Sequence, residues 1–573
     1  MRNKKAKIYD VPKIENFRDI VDNSGRRYAD EVAFLYHDGK SKIREVTYRE
    51  AVEDIKALAT YLNSQGLEGK KIAVSGKNSY GWAITYLAVT CGTGIIVPID
   101  KDLRADEISF ILGDSEASAI LYGKEIEEKV GNIPEGCKKF SLDRLEEYTE
   151  EGKRLMREGD SSYADHKVDS NALGILLYTS GTTGVAKGVM LSQKNICSNI
   201  MSVLSLVKLY PYDRSVSVLP LHHTYECMAG FLSFFYSGAS IAYNNSLLEL
   251  QSDLQVFKPT VFVVVPLILE SFRNIVIKKY RKIKGGRIIL AVQRFLAGLT
   301  KSHSARRKIF GAVNKAFGGN MNRVLSGAAA LAPEVYKDYE LFGLDVYVGY
   351  GLTETSPVCI MHNDFYSSPY DIGYPLSGTE AKISDPNADG IGELAVKGPN
   401  VMLGYYKNPE ETEKVIRDGW FYTGDLAKKT SRGTYMITGR IKSMIVTRNG
   451  KKVFPEELEN FINQSDYVKE SMVYGIPGNG DDDVTVAVSI FPDFELLDEE
   501  LKKKGYRAGD GKYEAARREI FVDIIKDVNR KFPTYKQIRR IFLRFSEFEK
   551  TTTRKIKRMA QSNISSASMT EIS

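Results

Sequence analysis

The feature that most constrains this chain is a glycine-rich loop directly after a buried strand. The apolar run 173–177 predicts the strand, and residues 178–188 then hold three glycines, four Ser or Thr hydroxyls and one lysine. Glycines let a backbone approach a ligand, and successive N–H groups in such a loop bind anions. We therefore expect a nucleoside triphosphate here, although the Gly-Lys-Ser/Thr ending of a Walker A motif is missing. A flexible surface hairpin is the alternative interpretation. The candidate phosphate-binding residues are Thr179, Ser180, Gly181, Thr182, Thr183, Gly184 and Lys187.

Strands alternate with helices along much of the chain. A helix is predicted at 45–66, and strands at 71–75 and 94–100 enclose a helix at 79–90. This alternation predicts an α/β fold with parallel, helix-covered sheets. Short strands between Gly, Pro and Asn turns then predict a small β-subdomain over 371–436.

The C-terminal part is predicted to be a separate unit. We expect an N-terminal domain over residues 1–440 and a small α+β domain over 441–560, with the border near 439–446. The Ser-rich tail 561–573 is predicted to be disordered.

Composition excludes several classes of protein. Hydrophobic residues make up 43% and charged residues 27%, which is typical of a globular protein. The five cysteines include no CxxC pair, so neither a zinc site nor a disulfide framework is predicted. No apolar signal segment follows the basic N-terminus, and we expect a cytoplasmic protein.

One segment is strongly basic. Residues 271–333 contain fourteen Lys or Arg and no Asp or Glu, and the apolar stretch 287–299 within them is compatible with a helix. Such a helix can lie on an anionic membrane, so a peripheral membrane contact through 271–323 is one interpretation. A solvated basic surface is the other. Nucleic acid is not expected, because aromatic residues are sparse among these charges.

Two of the six histidines stand side by side just past a predicted strand. The strand covers 215–220, and His222 and His223 follow it. Ligands of open α/β sheets bind beyond the carboxyl ends of strands, so a histidine here can position a reacting carboxylate or phosphate. An ordinary loop histidine is the alternative.

Further strand ends lead into turns that suit a nucleotide. Gly327 and Ala328 leave room for a flat ring, on which Tyr350 can stack. Glu354 offers a hard oxygen ligand for Mg²⁺, unless its turn merely caps a helix. Asp425 can accept hydrogen bonds from a ribose diol, although Asp is common in turns.

Together these motifs resemble the adenylate-forming superfamily of acyl-CoA synthetases, nonribosomal adenylation domains and luciferases. The resemblance runs from about residue 30 to residue 558, with the motifs in the family's order. These motifs are 178–188, 219–226, 349–357, 422–425, 439–459 and 550–558. Within the family the chain is similar to bacterial long-chain fatty acid–CoA ligases, through Leu-Pro-Leu-His-His-Thr-Tyr-Glu, Ser-Gly-Ala-Ala-Ala-Leu and the basic insert before Arg323.

The resemblance implies a reaction in two steps. A carboxylate attacks the α-phosphorus of MgATP, which gives an acyl-adenylate and pyrophosphate. A thiol, normally that of CoA, then attacks the acyl carbon and releases AMP. The implied fold is a large N-terminal domain of two helix-covered, mostly parallel sheets plus the small β-subdomain, followed by a mobile α+β domain.

The resemblance also implies roles for the phosphate and metal ligands. Residues 179–187 hold the β- and γ-phosphates, Glu354 binds Mg²⁺ together with Thr179, and Thr353 touches the α-phosphate. His223 lies near the substrate carboxylate.

Further roles concern the nucleoside. Tyr350 stacks on adenine, and Asp425 and Arg440 hold the ribose. The implied nucleoside contacts are Gly327, Ala328, Tyr350, Gly351, Asp425 and Arg440.

Three implied residues belong to the C-terminal domain. Lys555 matches the lysine that bridges carboxylate and α-phosphate, where a positioned cation stabilises growing negative charge. Lys442 matches the hinge, whose rotation removes Lys555 and presents Gly450 to the CoA thiol. Many members have glycine before this lysine, whereas this chain has Arg554.

Several functions stay open at this point. The partners expected are a fatty acid and CoA, or an acyl carrier protein in place of CoA; a medium-chain or aryl acid is a further alternative. An amino-acid substrate is disfavoured because no Asp stands in 219–224. A nucleotide-binding scaffold without activity is disfavoured by the intact Glu354, Asp425, Arg440 and Lys555.

Overall fold

The computed structural model divides the chain into two compact units. It describes residues 9–39, 42–180, 186–446, 451–477, 484–506, 511–550, 556–558, 560–564 and 569–572. The first unit comprises Met1–Ala381, Ala395–Tyr422 and Arg432–Tyr435, and the second comprises Lys382–Leu394, Thr423–Ser431 and Met436–Ser573. The domain border predicted at residue 440 marks where the C-terminal domain is expected to move between the two reaction steps. A division into compact units does not test such a movement, so the border stays a prediction.

Helices are distributed along the whole chain. The N-terminal ones are α1 Phe17–Arg27, α2 Tyr48–Ser64, α3 Tyr80–Gly92, α4 Ala105–Ser115, α5 Leu145–Arg157, α6 Ser162–Asp165, α7 Gln193–Leu206, α8 Ser233–Ser237, α9 Leu250–Phe257, α10 Pro266–Lys282, α11 Gly286–Gly298, α12 His303–Ile309, α13 Gly311–Ala316 and α14 Pro333–Leu341. They are followed by α15 Pro409–Val415, α16 Pro455–Ile462, α17 Phe494–Lys503, α18 Gly511–Asn529 and α19 Gln561–Ile564.

Most strands are short. The first fifteen are β1 Val32–Asp38, β2 Lys42–Thr47, β3 Lys71–Ser75, β4 Ile95–Pro98, β5 Ala119–Tyr122, β6 Lys138–Ser141, β7 Leu173–Ser180, β8 Ala186–Ser192, β9 Arg214–Ser217, β10 Ser240–Tyr243, β11 Val261–Val264, β12 Arg323–Ser326, β13 Asp345–Gly351, β14 Val358–Met361 and β15 Tyr374–Pro375. The others are β16 Glu380–Ser384, β17 Ile391–Lys397, β18 Gly404–Tyr405, β19 Ile416–Arg417, β20 Trp420–Lys429, β21 Tyr435–Arg440, β22 Ile445–Val446, β23 Lys452–Val453, β24 Val468–Pro477, β25 Val484–Pro492, β26 Arg540–Arg544 and β27 Met569–Glu571.

The first unit is built on the mostly parallel sheets that the alternation predicts. A seven-stranded sheet has the order β18–β8–β7–β4–β3–β5–β6, parallel from β7 to β6 and antiparallel at β7–β8 and β8–β18. A four-stranded ladder, β2–β1–β10–β9, and a five-stranded ladder, β11–β12–β13–β14–β15, contain the other parallel pairs. These two ladders adjoin where Thr260 N, just before β11, donates to Arg214 O of β9 at 2.9 Å. The α/β fold with two main helix-covered sheets is therefore confirmed.

The ends of the helices follow local side-chain chemistry. The helix predicted over 45–66 is α2, which begins at Tyr48 because Thr47 and Glu50 form a capping box: Glu50 N donates to Thr47 Oγ1 at 3.2 Å and Thr47 N donates to Glu50 Oε2 at 2.8 Å. Residues 45–47 belong to β2 instead. Beyond the helix, Gly66 has a φ of 75°, a conformation that favours glycine.

The C-terminal sheet recruits part of the tail that was predicted to be disordered. Its order is β24–β25–β26–β27, and β27 pairs antiparallel with β26. Arg540 of β26 forms an ion pair with Glu571, and the buried Asn563 of α19 donates to Glu549 O at 2.9 Å. Residues 569–571 find backbone partners at the open edge of β26, and α19 is held by Asn563 and by Arg544, which donates to Asn563 O at 3.1 Å. Composition carries neither signal.

Among the residues that the structure describes, no helix has both the length and the apolar character needed to cross a bilayer.

Gly152 sets the distance between α5 and α2. A methyl group built on Gly152 would lie 1.9 Å from the carbonyl oxygen of Ala57 in α2, far inside contact distance. We expect Gly152→Ala to destabilise the protein by about 1–3 kcal/mol, because the two helices must separate. The measurement is the midpoint of thermal unfolding.

Gly113→Ala in α4 is the matched control. A methyl group at Gly113 meets its nearest neighbour, Pro134 Cγ, at an ordinary 3.8 Å. This substitution should leave the midpoint unchanged or raise it slightly, since alanine favours helices. Equal midpoints for the two variants would contradict the steric argument.

Candidate functional site

The glycine-rich loop joins two antiparallel strands, so the hairpin and the phosphate site are compatible interpretations. In the register of β7 with β8, Thr179 stands opposite Lys187 and Ser180 opposite Ala186. Thr179 and Lys187 therefore lie at the base of the loop. The other predicted ligands, Gly181, Thr182, Thr183 and Gly184, fall outside the described residues, as does the side chain of Ser180.

A distant segment lies against this hairpin. The two-residue strand β18 pairs with β8, with Tyr405 opposite Val189. Because α15 follows β18 directly, the pairing carries both Tyr405 and Glu411 to the side of Lys187. Neither residue was predicted from the sequence, since β18 is too short to show a periodic pattern.

Lys187 is held by a carboxylate and an aromatic ring. Its Nζ lies 2.5 Å from Glu411 Oε2 and 5.5 Å from the centroid of the Tyr405 ring. Hydrogen bonds from Lys187 and from Lys414 lower the pKa of Glu411 to about 2. The position of the Lys187 ammonium group is thus restrained by Glu411 and Tyr405.

Glu354 lies on the other side of the same tyrosine. It belongs to the 3₁₀ turn Thr353–Thr355 that follows β13, and its Oε1 accepts a hydrogen bond of 2.9 Å from the Tyr405 hydroxyl. Burial and the nearby Glu354 charge raise the pKa of Tyr405, so this hydroxyl stays protonated as a donor. The structure therefore brings together a cation and a carboxylate, two of the groups that the sequence analysis assigned to phosphates and Mg²⁺.

The turn that carries Glu354 is fixed by two buried asparagines that the sequence analysis did not single out. Asn199 Nδ2 donates to Thr355 O at 3.1 Å and to Val358 O at 2.6 Å. Asn400 Nδ2 donates to the same two oxygens, each at 3.1 Å. Such side-chain partners satisfy backbone groups that a short turn leaves unpaired.

The functional groups at this place are chemically suited to a nucleotide and a hard metal ion. Thr179 supplies a hydroxyl and Glu354 a carboxylate, both of them oxygen donors of the kind that Mg²⁺ prefers. A cavity of about 390 Å³ opens beside Lys187, lined also by Tyr405, Glu411 and Asp114 but not by Thr179 or Glu354. The match to an anionic ligand with a cation therefore rests on the donor groups themselves.

The two histidines lie side by side, with their ring centroids 4.1 Å apart. His222 is largely buried with its Nε2 3.5 Å from Asp100 Oδ2, and burial, with the charge of Lys101, lowers the pKa of His222 to about 3. His222 is therefore neutral near pH 7. The backbone of the loop is fixed by Asn78, whose side chain accepts from Leu221 N at 3.0 Å.

A buried carboxyl follows the histidines. Glu226 begins the π-helix Glu226–Leu232, and its Oε1 accepts a hydrogen bond of 2.6 Å from Ser217 of β9. Burial raises the pKa of Glu226 to about 8, so it is mostly protonated at neutral pH. Single π turns are often found at functional sites, but no sequence pattern predicted this one.

The small-residue turns leave little space around their backbones. A methyl group built on Gly327 would lie 2.9 Å from the ring of Tyr225, whose hydroxyl donates to Leu325 O at 3.0 Å. Ala328 next to it has a φ of 69°. A methyl group built on Gly351 would lie 1.8 Å from Pro357 O, so this position requires glycine. Tyr350 is half-buried in β13, one residue earlier.

The predicted ribose ligands meet in the second unit. Arg440 Nε lies 2.6 Å from Oδ1 of the buried Asp425, and Thr423 Oγ1 accepts from Asp425 N at 3.1 Å. Lys442 lies just beyond, in the 3₁₀ turn Ile441–Ser443. Gly450 lies outside the described residues.

The terminal basic motif is anchored on both sides of Lys555. Lys550 Nζ lies 2.6 Å from Glu470 Oε1, and Arg558 forms a 2.5 Å ion pair with Glu459. Lys555 itself lies outside the described residues.

Comparison with known proteins identifies the family of this chain. The AMP-binding enzyme family matches residues 21–406, and the AMP-binding enzyme C-terminal domain matches residues 442–565. The solved structure of the anthranilate CoA ligase AuaEII in complex with anthranoyl-AMP is similar over 96% of this chain and 97% of that one. Its TM-score is 0.76 at 21% sequence identity, which concerns the fold alone.

Curated relatives cover most of the chain. A long-chain-fatty-acid–CoA ligase, FadD15 of Mycobacterium bovis, is 31% identical over 463 residues, which are 75% of each chain. A long-chain-fatty-acid–[acyl-carrier-protein] ligase, AEE15 of Arabidopsis thaliana, is 28% identical over 544 residues, covering 80% of this chain and 74% of the relative. The chain therefore belongs to the AMP-binding enzymes of the adenylate-forming superfamily.

Proposed function

We propose that this enzyme activates a long-chain fatty acid with ATP and transfers the acyl group to CoA, releasing pyrophosphate and AMP. The observation that carries the proposal is the grouping of Lys187 and Glu354 around Tyr405, beside a loop suited to phosphates. The choice of a long-chain acid rests on the similarity to the Mycobacterium bovis ligase.

In the first step, a carboxylate oxygen of the acid bonds to the α-phosphorus of ATP and the bond to pyrophosphate breaks. Lys187 and the loop hydroxyls hold the leaving β- and γ-phosphates, and Thr353 contacts the α-phosphate. Thr179 and Glu354 would hold Mg²⁺, which neutralises phosphate charge when bound. His223 positions the carboxylate, and Lys555 stabilises the charge that grows on the α-phosphoryl oxygens.

We assign nucleoside contacts within each unit by itself. Tyr350 stacks on adenine, and the adjacent Gly351 cannot carry a side chain. In the second unit, Arg440 fixes the carboxylate of Asp425, which accepts hydrogen bonds from the ribose hydroxyls. Gly327 and Ala328 provide the backbone beside the ring.

In the second step, the CoA sulfur bonds to the acyl carbon and AMP leaves. We infer that the C-terminal domain rotates at Lys442 between the two steps. This rotation withdraws Lys555 and brings Gly450 next to the pantetheine arm. We further propose a cytoplasmic enzyme with a peripheral contact between 271–323 and anionic membranes.

A second candidate is an acyl-AMP ligase that loads an acyl carrier protein. The observation that favours it is the 28% identity to the Arabidopsis thaliana carrier-protein ligase over 80% of the chain. The two candidates share the first step and differ only in the thiol that attacks the adenylate.

A panel of acids from acetate to oleate, assayed by pyrophosphate release, tests the acid. We expect the highest kcat/KM with palmitate or oleate, and palmitoyl-CoA as product when CoA is present. Highest turnover with a short or aryl acid would contradict the long-chain assignment. Carrier acylation without CoA consumption would establish the second candidate, and pyrophosphate exchange driven only by amino acids would exclude both.

Tyr405→Phe tests the link between the tyrosine and the metal carboxylate. The variant removes the hydroxyl that donates to Glu354 and keeps the ring beside Lys187. We expect kcat/KM for MgATP in adenylate formation to fall about tenfold, because a hydrogen bond to a charged group orients that carboxylate. The measurement is pyrophosphate release over a titration of MgATP.

Tyr406→Phe is the matched control. The Tyr406 hydroxyl accepts a hydrogen bond of 2.8 Å from Lys71 instead. Its loss should leave adenylate formation near the wild-type rate. Equal effects of the two substitutions would argue against a specific role of Tyr405.

Lys555→Ala separates the two steps. We expect adenylate formation to fall about a hundredfold or more, since one charge-stabilising donor is lost. Formation of acyl-CoA from synthetic acyl-AMP should persist, because Lys555 has left the site by then. Lys557→Ala, whose amine lies 2.8 Å from Glu549, is the control and should adenylate normally. Full adenylation by Lys555→Ala would refute the role.

A further inference from the structure

Helix α11 packs on the protein through the buried core residues Leu290 and Ala297 and through two half-buried polar residues between them. Gln293 accepts a hydrogen bond of 2.6 Å from the Tyr280 hydroxyl of α10 and donates to Ile309 O at 2.8 Å. Arg294 donates to Asp338 of α14 at 2.7 Å. This face of α11, which combines apolar and polar side chains, is therefore covered by the protein.

The opposite face of α11 is apolar and open to water. Its side chains recur at intervals of three and four residues, so they form one stripe along the helix. Ile288 is 70% exposed, Phe295 67% and Leu299 70%. The stripe, which we call the α11 ridge, consists of Ile288, Ile289, Val292, Phe295, Leu296 and Leu299. Water-exposed apolar stripes of this size mark interaction sites.

The surroundings of the ridge are positively charged. Of the fourteen Lys and Arg in residues 271–333, Arg294 is paired with Asp338 and Arg323 with Asp213, so these two do not add to the charge around the ridge. Lys284 and Arg287 lie at the N-terminal end of the ridge and Lys301 beyond its C-terminal end, and all three are exposed. The partner that fits is therefore both apolar and anionic.

We propose that the α11 ridge docks on an anionic lipid bilayer, with its apolar side chains among the acyl chains and its flanking cations at the headgroups. An apolar stripe with Lys and Arg beside it is the pattern of helices that lie in the membrane interface. A second copy of this chain fits less well, because pairing two ridges would bring two basic surfaces together.

This proposal rests on the peripheral membrane contact proposed for 271–323 and names the helix that makes it. The membrane contact would also serve substrate supply, since a long-chain fatty acid partitions into bilayers. The enzyme on the membrane would meet its substrate at a high local concentration.

Vesicle flotation tests the proposal with the full-length protein. The probes are vesicles of phosphatidylcholine alone and vesicles that also contain phosphatidylglycerol. We expect binding to the phosphatidylglycerol vesicles, weakened by salt, and little binding to phosphatidylcholine alone. In the double variant Ile288→Ser/Phe295→Ser, binding should fall about tenfold or more, because two apolar side chains no longer enter the bilayer.

The matched control is Leu248→Ser/Tyr212→Ser, which removes apolar side chains that are 97% and 72% exposed outside α11. This variant should bind as the wild type does, and both variants should keep the wild-type unfolding midpoint. Equal binding of wild type and ridge variant overturns the proposal. The proposal is also overturned if the wild type does not bind anionic vesicles. It is overturned as well if the wild type dimerises with increasing concentration and only the ridge variant loses this dimerisation.

Enzymatic activity separates this proposal from the proposed function. Pyrophosphate release with a fatty acid in buffer without vesicles depends on the catalytic site alone. A ridge variant that is active in buffer but fails to bind vesicles supports the ridge. An inactive wild-type protein that still binds anionic vesicles would contradict the proposed function and leave the ridge supported.

Discussion

The pairing of β18 with β8 is the contact on which the candidate site depends. It joins segments that are far apart in the chain, and the ion pair that results links Lys187 to Glu411, 224 positions later. Without this pairing, Tyr405 would reach neither Lys187 nor Glu354. The site is thus assembled at the edge of the seven-stranded sheet, where a two-residue strand completes the hydrogen bonding of β8.

Features with a local physical cause could be predicted from the sequence. The alternation of strands and helices predicted the α/β fold, because hydrophobic period and turn residues report on each element separately. The glycine-rich loop and Glu354 were identified because flexible backbone, hydroxyls and a carboxylate have direct chemical meanings. The pair of Asp425 and Arg440 followed from the family resemblance, and the structure places the two side chains within 2.6 Å.

Features that depend on tertiary contacts could not be predicted. Tyr405 and Glu411 gain a position only when β18 pairs, and Asn199 and Asn400 are assigned only when the Glu354 turn is seen. The tail forms β27 because β26 has an open edge. The basic segment was ambiguous because its composition does not tell which face of α11 points inward. The structure shows that Leu290, Gln293 and Ala297 point inward, which leaves the α11 ridge outward.

The ion pair between Lys187 and Glu411 is better explained by orientation than by stability. Both side chains are partly exposed, with 21% and 30% of their surfaces accessible, and exposed pairs contribute only about 0–1 kcal/mol. An ion pair this weak can be replaced by a stronger ionic interaction of the same lysine. Under the phosphate role that we propose for Lys187, a triphosphate, which carries several negative charges, would replace Glu411 as the partner of the ammonium group. Glu411, itself bound by Lys414, restrains the Lys187 side chain in the structure. A lysine restrained in this way would lose less side-chain freedom on binding phosphates than an unrestrained one.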